Sequence, residues 1–164
     1  MMMVGWMLAW GVQAQYRFRH LTTKDGLIQG SVYYFLEDSQ GLMWMTTQAG
    51  LNRFDGHRFR SFVHSGTDSI SISKGEVRGL AQAPNGDIWM GTEVALSRYC
   101  RQTDRFQRYY ISDSLGKRLF GQHQALYADD STVWFLNDHE GLVQLNYRTG
   151  RRRIHYPEAT YRHE

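Results

Sequence analysis

The sequence predicts an all-β fold, a partial β-propeller of about three four-stranded antiparallel blades plus an orphan N-terminal strand, and three observations carry the prediction. Trp44, Trp89 and Trp134 recur at intervals of 45 residues. Each is flanked by apolar residues: Met43 and Met45, Ile88 and Met90, Val133 and Phe135. Each also follows a turn-forming run, Ser39-Gln40-Gly41, Pro84-Asn85-Gly86 or Asp129-Asp130-Ser131. A repeat of this period, built from short strands, describes propeller blades, in which small sheets stack face to face around an axis. A β-sandwich also uses short strands and frequent turns, but it does not account for evenly spaced copies.

The composition agrees with strands. Ten Tyr, eight Phe and five Trp suit a pleated, half-buried surface, and sixteen Gly supply turns. In the first copy four runs read as strands: Val32–Glu37, Leu42–Thr47, Gly50–Phe54 and Arg58–Val63. Asp55-Gly56 between the last two is a strong hairpin signal. The third run returns as Ala95-Leu96-Ser97-Arg98-Tyr99 and as Gly141-Leu142-Val143-Gln144-Leu145, the latter after one inserted residue. The fourth returns as Phe106-Gln107-Arg108-Tyr109 and Arg153-Ile154-His155-Tyr156. The expected organisation is a leader at 15–31, blades at 32–76, 77–121 and 122–156, and a tail at 157–164. The apolar columns around each Trp are expected to form the dry seams between blades.

Phe18-Arg19-His20-Leu21 resembles the fourth-strand run Phe59-Arg60-Ser61-Phe62 but has no first three strands before it. It is expected to be an outer strand that completes the last blade of a longer chain. Three blades fall short of the four or more that usually close a ring. Open sheet faces are therefore expected at both ends, with the remaining blades or a second subunit as partners.

At the amino terminus the apolar run Val4–Trp10 and the small residue Ala14 read as an export signal at 1–14. The run is too short to span a bilayer. Export from the cytoplasm is the expectation.

Other chemistry finds little support. The net charge of +3 is scattered apart from Arg151-Arg152-Arg153, whereas a nucleic-acid footprint needs a concentrated basic stripe. Cys100 is the only cysteine, so no internal disulfide is possible, and a half-buried strand position is expected. His20, His57, His64, His123, His139, His155 and His163 show no metal-ligand spacing. No metal or other cofactor is expected. The densest acidic runs, Asp129-Asp130-Ser131 and Asn137-Asp138-His139-Glu140, lie beside strand ends, where Asp and Asn ordinarily form turns. A glycosidase would need two such carboxyls at a set separation. The Trp residues could serve as sugar-stacking platforms, but their fixed register favours packing. Ligand contacts are expected instead from connections that differ between copies, His64–Glu76 and Ser112–Gln122.

The first copy, Val32-x-x-Phe35-x-x-Asp38-x-x-Gly41-x-x-Trp44-x-x-Thr47-x-x-Gly50-Leu51-x-x-Phe54, resembles the two-component regulator propeller repeat along nearly its whole signature. The leader stretch Asp25-Gly26-Leu27 is also similar to that family. The second copy has Ala83 in place of the Asp and Ala95 in place of the Gly, and the third has Asn137 in place of the Thr. The resemblance spans residues 16 to 156. It implies the periplasmic front of a hybrid sensor histidine kinase, a non-catalytic segment recognising an oligosaccharide ligand. Membrane attachment would come only through later parts of the parent, because no kinase motif or long apolar stretch follows the leader. Two alternatives stay open: a propeller lyase or glycoside hydrolase using Asp129, Asp130 or Glu140, and a protein-binding scaffold.

Overall fold

A computed structural model describes residues 17–112 and 115–156, so the expected export signal and the tail at 157–164 lie outside the described residues. Three blades are present. The first comprises β1 (Val32–Glu37), β2 (Met43–Thr47), β3 (Gly50–Phe54) and β4 (Phe59–Phe62). The second comprises β5 (Arg78–Gln82), β6 (Ile88–Gly91), β7 (Leu96–Cys100) and β8 (Arg105–Tyr109). The third comprises β9 (His123–Ala128), β10 (Thr132–Asn137), β11 (Gly141–Asn146) and β12 (Arg152–Tyr156). Within each blade consecutive strands pair antiparallel in the order of the chain. Strands β5 and β9 meet through a parallel bridge between Gly79 and Ala125, which places these first strands side by side.

The register makes the copies equivalent. Trp44, Trp89 and Trp134 sit on the second strand of their blades and pair with Arg53, Arg98 and Gln144 on the third. Trp44 and Trp89 are fully buried. Trp44 stacks on Phe62 of its own blade and tilts against Tyr99 of the next, ring centres 5.0 Å apart. Trp89 does the same between Tyr109 and Tyr147 of the following blade, both at 4.9 Å. Aromatic contacts of this kind add about 0.5–1.5 kcal/mol per pair beyond the area they bury. Two apolar clusters result, one per seam: Trp44, Leu51, Ile88, Met90 and Tyr99 in the first, Trp89, Leu96, Val133, Phe135 and Val143 in the second. Trp134 occupies the matching position on the third blade, only partly buried and lying against His155.

The turns show how substituted residues keep the same job. Thr47 and Thr92 each donate from their hydroxyl to the carbonyl that closes the turn after the second strand, Gly50 O at 3.0 Å and Ala95 O at 3.2 Å. Asn137 occupies the third such place, and its Oδ1 accepts from the N–H groups of His139 and Glu140 instead. Asp38 accepts from the backbone N–H of Gln40 and Leu42 and from the Trp44 indole N–H at 2.7 Å. Ala83 stands at that position in the second blade, and the buried Trp89 indole N–H accordingly has no hydrogen-bond partner. An unpartnered buried donor costs about 1–3 kcal/mol, so the first seam is better satisfied than the second.

Across the first seam Arg101 bonds to Asp38 and Gln40, and Arg60 pairs with Asp104 at 2.6 Å. Burial works against ionisation of Asp38. The hydrogen bonds from Trp44, Arg101 and the turn N–H groups outweigh it and hold the carboxyl below its ordinary value.

The leader differs from expectation. Phe18–Leu21 forms no strand, and Phe18 is 96% exposed; a strand needs a ladder partner, and none lies beside it among the described residues. The following segment is ordered by the same contacts that precede the second blade. Leu27 is buried, and Ile28 N–H donates to Asn52 at 3.1 Å. Forty-five positions on, Ile72 is buried and Ser73 N–H donates to Ser97 at 3.1 Å.

Asp38→Ala leaves Arg101 and the Trp44 indole without their acceptor and should cost about 3–5 kcal/mol in denaturant unfolding, as for one half of a buried ion pair. Because the folded carboxyl titrates below its unfolded value near 4, its stabilisation is present above that pH and is lost as pH falls through the folded value. Gly91 is required by proximity, since a Cβ there would lie 1.6 Å from the His123 carbonyl oxygen. Gly91→Ala should therefore cost on the order of 3 kcal/mol or more. Gly30→Ala, into open space, should stay within about 0.5 kcal/mol in the same assay.

Candidate functional site

Antiparallel order sends the turn after each second strand and the connection between blades to the same end of the propeller. The remaining turns lie at the opposite end. The first end therefore collects Gln48, Glu93 and Asp138, which share one turn position at 45-residue spacing, together with the connections 63–77 and 110–122. A concavity of about 290 Å³ opens there between the first two blades, lined by Gln48, His64, Ser73, Glu76 and Glu93 around Gly75.

Its floor is polar and fixed. Ser73 is buried and hydrogen-bonded to Thr92 Oγ1 at 2.9 Å and to Ser97 Oγ at 2.7 Å. His64 lies with Nδ1 3.0 Å from the Ile72 carbonyl; a carbonyl only accepts, so Nδ1 carries a proton and donates. Glu76 Oε1 is 2.8 Å from Arg78 Nη2. Gly75, at φ +107°, leaves space beneath the Glu93 carboxylate, whose Oε2 lies 3.4 Å from where a Cβ would stand.

The end of the second connection, Gly121 and Gln122, flanks this region. Gly121 N–H donates to Glu93 O at 3.0 Å, and Gln122 N–H donates to Asp138 at 3.0 Å. Of the two connections expected to carry ligand contacts, His64–Glu76 lines the concavity directly. Gln48 and Glu93 join it from the turns, which sequence reasoning did not single out; their shared 45-residue position was the available signal.

The acidic runs are separated. Asp129 and Asp130 precede β10 and Glu140 follows it, so a six-residue strand lies between them, too long for carboxyls set 5–9.5 Å apart. Asp129 is occupied by its own turn, accepting from Ser131 N–H at 2.8 Å and Thr132 N–H at 2.7 Å. Those bonds, led by the Thr132 hydroxyl, hold its carboxyl below the usual value. Glu140 pairs with Arg152. Among the described residues no group of three His, Cys, Asp or Glu side chains gathers as a metal site. His20, His57 and His139 are exposed, and His163 lies outside the described residues. Cys100 ends β7, half-buried and free. Trp44 and Trp89 are sealed in the seams and offer no ring face to a sugar.

His123 is buried where β9 begins. Its Nδ1 is 2.8 Å from the Thr92 carbonyl, and Asn137 Nδ2 faces its Nε2 at 3.4 Å. This arrangement fits the neutral ring with the proton on Nδ1, because a second proton would point at the Asn137 amide. Burial pushes the ring's pKa down, against weaker opposing contacts. The stability it contributes is complete above the unfolded value near 6.5 and is lost as pH falls through the lower folded value. Thermal unfolding at pH 7.5 and 5.5 should thus show an acid-side loss that shrinks in His123→Gln.

Comparison with known proteins agrees with this architecture. Residues 26–49, the lead-in segment with β1, β2 and the turn after it, match the family described as two component regulator propeller; this stretch is one such repeat. A 56-residue stretch is 45% identical to Histidine kinase P4 of Formosa agariphila, covering 34% of this chain and 4% of that protein. The fold is similar to the extracellular domain of a protein assigned as a hybrid two component system from B. thetaiotaomicron. That likeness has a TM-score of 0.73 and 27% identity, covering 87% of this chain and 20% of the other. A second extracellular domain from the same organism, assigned to a one component system, shares the fold at a TM-score of 0.59 and 21% identity, covering 73% of this chain and 17% of that one. The chain thus spans a small part of the length of each relative. Among the described residues no helix is long and apolar enough to cross a membrane.

Proposed function

We propose that this chain is a ligand-recognising segment of the periplasmic propeller of a hybrid two-component sensor, non-catalytic and responsive to carbohydrate. The observation that carries the reading is the likeness, across most of the chain, to the extracellular domain of a hybrid two component system. The propeller supplies rigid strands, and the variable connections at one end supply contacts, which is how loops on a fixed scaffold acquire binding roles. Ligand bound at that end would favour one placement of neighbouring subunits over another, and the shift in population would pass to a kinase in the parent protein. The engagement of Asp129 and Glu140 in turn and ion-pair contacts supports recognition over hydrolysis.

The test is genetic. Deleting the gene should abolish the transcriptional response of carbohydrate-utilisation genes to one or more members of an oligosaccharide panel, while growth on glucose is unchanged. An unaltered response to every panel member, or turnover of a polysaccharide by the purified protein, would contradict the reading.

A further inference from the structure

We infer that the open face of the third blade is built to take a following blade whose third-to-fourth strand hairpin carries an aromatic residue and an aspartate. A second copy of this chain is the wrong partner for it. This rests on the reading of the chain as part of a larger propeller and goes further by naming what the covering surface presents.

The face is apolar at its centre and basic toward its outer strand. Trp134 is only partly buried, and Leu136 is 41% exposed. Directly paired residues share a face of a sheet; Trp134 pairs with Gln144, and Gln144 with Arg153 on β12. Arg153 is exposed and forms no ion pair among the described residues. A hollow of about 200 Å³ lies beside it, lined by Thr132, Gln144 and Asn146 with Arg151, Arg152 and Arg153.

The seam between the first two blades shows what such a face meets. There Trp44 pairs with Arg53, and Arg53 with Arg60, so Arg60 and Arg153 hold the same register position. Arg60 reaches Asp104 of the second blade at 2.6 Å. Asp104 also accepts from the Tyr99 hydroxyl at 2.6 Å, and the Tyr99 ring lies against Trp44. One hairpin thus covers the indole with its aromatic ring and neutralises the arginine with its carboxylate. In the second seam both charges are missing. Gln107 stands at the arginine's position, opposite Arg98. Gly150 stands at the aspartate's, two residues before the Arg152 that pairs with Leu145, as Asp104 stands two before the Phe106 that pairs with Tyr99. An aromatic ring remains, Tyr147 against Trp89. Cation and acid are therefore present together in one seam and absent together in the other, and the third blade restores the cation.

A second copy would offer its first blade instead. Met43, Met45 and Phe54 supply apolar surface there, but the place two residues before the paired Phe59 belongs to His57, with Arg58 beside it. The nearby Asp55 is committed to its own turn, accepting from the N–H groups of His57 and Arg58 at 2.8 and 2.7 Å. Arg153 would then meet basic groups. An exposed ion pair adds little affinity, yet a mismatched one discriminates between partners.

Sedimentation of the 164-residue chain tests the charge rule. The unaltered chain should self-associate weakly. His57→Asp, an exposed turn substitution, should tighten self-association at least about threefold at low salt. That gain should vanish at high salt and when Arg153→Gln is added. A fusion in which a second copy of residues 63–109 follows Tyr156 tests the cover. With Trp134 as its only tryptophan, emission should shift to shorter wavelength, and acrylamide quenching should fall by about half against the same variant without the added blade. Self-association as tight in the unaltered chain as in His57→Asp, or a Trp134 quenched as readily with the added blade as without it, would overturn the inference. Neither measurement involves a ligand, so the sensing reading stands or falls separately, on the transcriptional response to gene deletion.

Discussion

Burial of an indole between adjacent sheets is the interaction on which this molecule depends. A four-stranded blade has two faces and no interior of its own, so its apolar columns are shielded only when another blade covers them. Trp44 and Trp89 reach across and are completely buried. Full burial of an aromatic side chain removes about 150–250 Å² from water. At ~25 cal/mol per Å² this is a gross gain of several kcal/mol per ring, larger than any single polar contact in the seams. Trp134 occupies the same place on a face that no described blade covers, which explains its partial exposure beside His155.

The polar groups and glycines serve this contact. Asp38 ties its own turn, the Trp44 indole and Arg101 of the next blade into one assembly. Gly79 and Gly91 allow the second blade's inner edge to approach the third, with Ala125 and His123 backbone atoms where side chains would otherwise be. The close approach also fixes the end where ligand contacts collect. Connections that leave one outer strand and enter the next inner strand must pass over the seam, bringing His64 and Glu76 beside Glu93.

Much of this was legible in the sequence because it is periodic. The strands follow from alternation and turn residues, and the seams from the apolar columns flanking each Trp. The replacement of Thr by Asn137 reads as conservative once both are seen as short side chains able to cap a turn. What the sequence obscured was either non-periodic or chemically quiet. Phe18–Leu21 looks like a fourth strand, but a strand exists only with a partner, which no local pattern can supply. Leu27-Ile28 repeats Ile72-Ser73 in position yet not in character, so its role in covering Asn52 emerged only from the contacts. The candidate site was half visible: an unusual connection marks His64–Glu76, whereas Glu93 and Gln48 are ordinary turn residues until the fold sets them around one concavity.

Single-tryptophan variants probed by fluorescence test the seam account most directly. With the other tryptophans replaced by Phe, Trp44 and Trp89 should each emit at short wavelength and resist acrylamide quenching, while Trp134 in the 164-residue chain emits further to the red and is quenched more readily. Equal and ready quenching of all three would contradict the account, because it would mean that no indole is enclosed between blades.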